Sequence, residues 1–122
     1  METDLVFQQK KYLLRLANSA DMNQVQFDPE ARSEFLATVR YYEECRLGLG
    51  NRFRLVFESA TRRISKTPFR YRLLKAPFRG CLLPKFPYLI IYSVEPDHIR
   101  IIALAHTKRK PGYWLSRTAH DK

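Results

Sequence analysis

Near the carboxy terminus a basic, aromatic and titratable cluster stands close together: His106, Lys108, Arg109, Lys110, Tyr113 and Trp114. Cutting RNA by attack of a 2′-hydroxyl on the adjacent phosphate needs a base, cations against the developing charge, and an acid for the leaving oxygen. His106 has a suitable intrinsic pKa, Arg109 can clamp a phosphate with its fork, and Tyr113 can stack on a base or donate a proton. Arg79 and Lys108 would add positive charge. The same residues have plainer readings: a histidine hydrogen-bonded at a strand end, a solvated charge run, and an aromatic plug under a sheet. Glu43 and Glu44 are adjacent on a helix and splay apart, so they make no catalytic dyad. Cys45 and Cys81 lack metal-ligand spacing and suggest two reduced thiols, and there is no glycine-rich phosphate loop. No metal or cofactor is expected.

The elements that position this cluster follow from periodicity. Tyr88 to Val94 and Ile99 to His106 read as a hairpin around the turn Glu95-Pro96-Asp97-His98. Both faces of Tyr88–Val94 are apolar, with Tyr88, Ile90, Tyr92 and Val94 on one and Leu89 and Ile91 on the other. One face suits the core, and the second is either covered or a docking surface. Val25 and Phe27 alternate with polar neighbours as in a half-buried strand. Phe69 to Leu74 and Phe78 to Leu83 are further short strand candidates set off by prolines.

Between them lie two helices. Asp28-Pro29-Glu30 starts the first, with the Asp28 side chain expected to accept orphan amide hydrogen bonds, and Gly48 and Gly50 end its pattern. The second runs from about Asn51 to Lys66, stopped by Pro68. The expected fold is therefore α+β: an antiparallel sheet of about four strands with a helical hairpin on one face. Residues 1 to 21 form an extension with a short helix near Tyr12 to Leu16. Residues 22 to 117 form the domain, Met22 being a candidate start, and 118 to 122 a tail.

Charge is unevenly placed. Residues 1 to 58 balance to −1, whereas residues 59 to 122 carry 14 Lys/Arg against 3 Asp/Glu, a balance of +11. Such a field favours a polyanionic partner, nucleic acid or an acidic protein segment. No run is long and apolar enough for a membrane helix, and Glu2, Asp4 and Arg15 oppose a secretion signal, so a cytoplasmic protein without membrane contact is expected.

Several phrases in order carry a resemblance: Phe27-Asp28-Pro29-Glu30-Ala31, Tyr41-Tyr42-Glu43-Glu44 with Gly48-Leu49-Gly50-Asn51-Arg52-Phe53, Phe86-Pro87-Tyr88-x-Ile90-x-Tyr92, and Ala105-His106-x-x-Arg109-x-Pro111-Gly112-Tyr113-Trp114. The chain from about Asn23 to Arg117 resembles the RelE/ParE superfamily of type II toxin–antitoxin toxins, nearest its ParE-like plasmid stabilization branch. The resemblance implies a small toxin held inactive by a cognate antitoxin. Its target would be DNA gyrase or the ribosome with its messenger RNA. Relatives resembling RelE place an arginine on the strand matching Tyr88–Val94, where this chain has no cation. That turns the expectation toward growth arrest by binding gyrase. The alternatives are ribosome-dependent mRNA cleavage by His106, Arg109 and Tyr113, or an inactive remnant or binding module. Arg79, Leu89, Ile91, Lys108, Arg109 and Trp114 are the expected contacts to target or antitoxin.

Overall fold

A computed structural model describes residues 24–118. The amino-terminal extension, its short helix and Met22 lie outside the described residues. The order is β1 (Val25–Phe27), α1 (Pro29–Cys45), α2 (Leu49–Lys66), β2 (Arg72–Leu73), β3 (Phe78–Leu82), β4 (Tyr88–Val94), β5 (Ile99–His106) and α3 (Leu115–Thr118). The strands form one sheet ordered β1-β5-β4-β3-β2.

The α+β expectation holds, with two corrections to the sheet. It has five strands, and it is mixed, because β1 pairs parallel with β5 while every other pair is antiparallel. A parallel pair needs a crossover between its strands, and the helical hairpin belongs to that crossover. The strand expected over Phe69 to Leu74 contracts to Arg72–Leu73, because sheet side chains take the carbonyls before it: Tyr92 bonds Pro68, and Arg79 bonds Phe69 and Tyr71.

The helices cover one face of the sheet. Phe35, Val39, Phe53, Phe57 and Ile64 meet Ile90, Tyr92, Ile99, Ile101 and Leu104 in the main core. At its centre the Phe35 and Phe57 rings lie 4.4 Å apart. A bulge sets Ile91 opposite Ala103 but Tyr92 opposite Ile101, so Ile102 is the extra residue. It shifts the alternation, and both Ile102 and Ala103 join Ile91 in a second cluster on the other face.

Asp28 does not cap α1 with its side chain as expected; its carboxylate instead pairs with Arg100 on β5, 2.8 Å away. The hairpin turn is capped by another acid. Glu43 accepts hydrogen bonds from the Gly48 and Gly50 amides at 3.0 Å each, and α2 accordingly begins at Leu49, ahead of the expected Asn51. Gly48 has φ +89°, a left-handed conformation natural to glycine. Gly50 marks a close helix crossing, since a Cβ there would lie 2.6 Å from the Val39 carbonyl oxygen. Gly50→Ala is therefore expected to destabilise the fold by about 2 kcal/mol, read from the denaturation midpoint. An unchanged midpoint would show that the helices separate without cost.

Candidate functional site

Beyond β5 the chain bends back across the sheet face opposite the helices. The backbone hydrogen bonds made from Arg109 onward stay within the segment itself, from Arg109 N–H to the His106 carbonyl through Arg117 N–H to that of Trp114. Side chains hold this strap to the sheet. Trp114, 5% exposed, fills the second cluster and meets the Phe78 ring edge-on at 5.2 Å. The expected docking face is thus divided: Ile91 is covered and Leu89 remains half-exposed.

The other attachment is a carboxylate. Glu34, on α1, accepts hydrogen bonds from the Tyr113 hydroxyl at 2.6 Å, from both Arg117 terminal nitrogens at 2.9 Å, and from Arg109 at 3.4 Å. It also accepts the Leu104 amide at 3.0 Å, while Arg117 donates to the Ile102 carbonyl at 3.0 Å. Those two backbone groups lie past the point where β1 ends, so Glu34 and Arg117 stand in for a missing strand along the β5 edge. Burial alone would raise the Glu34 pKa, but the bonds from Arg117, Tyr113 and Leu104 outweigh it and hold the carboxyl below its ordinary value. Burial, and next the bond to Glu34, push the Tyr113 hydroxyl far above the usual phenol range.

Between the strap and the β2 edge lies a groove of about 380 Å³. Leu89, Ile91 and Ala105 form an apolar floor. Arg72, Leu74 and Lys75 make one wall; Arg109, Lys110 and Tyr113 belong to the other. Among the described residues no carboxylate lines it. Among the described residues no group of three or more His, Cys, Asp or Glu side chains could hold a metal ion, and no helix is long and apolar enough to cross a membrane.

The structure therefore brings His106, Arg109, Tyr113, Trp114, Leu89 and Ile91 to one groove. His106 sits at its end, edge-on to Tyr88 at 5.1 Å, with Nδ1 accepting the Lys108 amide at 3.0 Å. Arg109 lies over the Tyr113 ring, its guanidinium carbon 3.5 Å from the centroid. Lys108 is exposed beyond the lining, and Arg79 faces the helix side, paired opposite Tyr92. For phosphate chemistry the set is compromised. Glu34 shares the Arg109 charge, the Tyr113 proton is held by a carboxylate, and the floor carries no cation.

Glu34, Arg117, Arg72 and Lys75 are site residues that sequence reasoning did not assign. Glu34 gives no local signal, because its partners lie 70 to 83 positions away.

A sequence model of the ParE toxin of the parDE type II toxin-antitoxin system matches residues 25–111. Among solved structures, a chain of the chromosomal ParDE TA system from P. aeruginosa superposes with a TM-score of 0.64 at 14% identity, over 74% of this chain and 100% of that one. At that identity the likeness is one of fold. No curated protein matches significantly.

Proposed function

The chain belongs to the ParE toxin family of type II toxin–antitoxin systems, and on that premise we propose that it arrests growth by binding a cytoplasmic replication target, DNA gyrase, rather than by cutting RNA. The supporting observation is the groove: an aliphatic floor between two cationic walls, with the potential acid Tyr113 hydrogen-bonded to Glu34. Such a surface binds well and supplies little acid–base chemistry. The family implies an antitoxin, and the same groove suits its neutralising segment. Carboxylates would meet Arg72, Lys75, Arg109 and Lys110, and aliphatic side chains would meet Leu89.

A second reading, ribosome-dependent mRNA cleavage, draws on the fact that His106, Arg109 and Tyr113 do line one groove. Expressing the chain without antitoxin separates the two: inhibition of gyrase supercoiling supports target binding, and cleavage of ribosome-bound message supports the nuclease. His106→Ala should leave growth arrest within roughly threefold of wild type, since a general acid–base group contributes about 10²–10⁴-fold only where proton transfer is required. A loss of that size, measured as colony survival after induction, would move the assignment to the nuclease.

A further inference from the structure

We propose that the loop between α2 and β2 is a separate binding point for single-stranded nucleic acid, with Phe69 as its stacking platform. The loop is unusually well held for a surface connection. The buried Tyr92 sends its hydroxyl to the Pro68 carbonyl at 2.5 Å, and Arg79 donates to the carbonyls of Phe69 at 3.2 Å and Tyr71 at 2.9 Å. Three hydrogen bonds from sheet side chains thus fix a segment in which Tyr71 packs against the main core while Phe69 and Arg70 are exposed. Phe69 is 66% exposed, more than any other aromatic among the described residues, and the Arg79 guanidinium sits 5.3 Å from its ring centroid.

Further cations flank Phe69 along the chain. Arg63 and Lys66 lie on the last turn of α2, Arg70 follows Phe69, and Arg72 opens β2; all four are exposed. No acid occurs from Ser59 to Val94. A rigid aromatic face amid cations is how proteins hold single strands, stacking bases and tracking phosphates without reading sequence. A protein hot spot is a poorer match, because interface cores are depleted of charge and the contact at this ring is the Arg79 guanidinium. A merely solvated charge run is poorer still, since it needs neither an exposed ring nor a braced backbone. Phe69 and Arg70 lie outside the groove, and Arg72 is the residue that borders both.

The test is fluorescence anisotropy of a labelled oligothymidylate of about 12 nucleotides with the full chain across a salt series. Wild-type binding should weaken with salt by about 0.7 log units per decade for each phosphate engaged. Phe69→Ala should lower affinity on the order of tenfold with the salt slope unchanged, and Arg70→Gln should reduce the slope by roughly one contact. Both side chains are exposed, so an unchanged circular dichroism melt verifies folding. The proposal is overturned if the oligonucleotide does not bind or if Phe69→Ala binds as wild type. Equal competition by polyglutamate of matched charge also overturns it, by showing that only charge is read. Supercoiling inhibition on the same preparations reports separately on the gyrase reading.

Discussion

Glu34→Ala should destabilise the protein by about 3 kcal/mol, because it strands a largely buried guanidinium and opens a strand edge at the same time. Arg117 is 17% exposed in its side chain and has Glu34 as its carboxylate partner; without it the cation loses its countercharge, and the Leu104 amide loses its acceptor. The Tyr113 hydroxyl loses its acceptor too. For a domain of this size, that loss corresponds to a fall of roughly 10–20 °C in the thermal midpoint. Glu34→Gln separates charge from shape: it retains an acceptor for Leu104 but cannot pair ionically with Arg117, so an intermediate loss is expected. Hydrogen exchange at the Leu104 amide reports the edge directly and should accelerate in Glu34→Ala. Wild-type stability in that variant would mean that the strap is held by Trp114 alone.

The same carboxyl fixes a pH dependence. Its folded pKa lies below its unfolded value, so the folded state binds the Glu34 proton less readily than the unfolded chain does. The stabilisation is present above the unfolded value of about 4.3 and is lost as pH falls through the lower folded pKa. The groups facing it are Arg117, Arg109 and Tyr113 from the strap, with the Leu104 amide from β5. In wild type the acid side of the stability profile should therefore be steeper than in Glu34→Gln.

The elements with strong local periodicity were legible in the sequence. The β4–β5 hairpin appears where alternation and the Glu95–His98 turn place it, with the Glu95 amide bonded to the His98 carbonyl at 2.8 Å. The helices were legible because Pro29 and Pro68 bound two apolar stripes. Long-range side-chain pairing was not legible. Asp28 reads as a cap from its neighbours, yet Arg100, 72 residues away, offers a charge-assisted bond that outcompetes neutral amides. Arg79 reads as one more cation for the site. Its strand position aims it at the helix side instead, where it braces a loop. The strap residues were visible as a motif, but its fastening to a carboxylate on α1 depends on tertiary contact alone.

Leu89→Glu is expected to weaken binding of the cognate antitoxin on the order of 100-fold, the largest effect of any single groove substitution. Leu89 is half-exposed on the floor between the walls carrying Arg72 and Lys75 on one side and Arg109 and Lys110 on the other. A carboxylate there removes an apolar contact, offsets the field of those cations, and repels an acidic segment. The new charge has cations and solvent within reach, so the fold should tolerate it. Leu89→Lys removes the same contact but adds to the attraction, and should cost only about tenfold; the gap of about 1.4 kcal/mol is then the electrostatic share. Raising the salt should shrink that gap while leaving the common apolar loss in place, because screening acts on charge and not on buried area. Calorimetric titration at two ionic strengths measures all four numbers. Equal weakening by both variants would identify the groove as an apolar site indifferent to charge. Unchanged affinity in both would place the antitoxin elsewhere on the toxin. The cellular readout divides the partners: if Leu89→Glu still arrests growth but is no longer rescued by antitoxin, the target binds another surface and the antitoxin acts at a distance. If toxicity is lost as well, antitoxin and target compete for one groove, and neutralisation is simple occlusion.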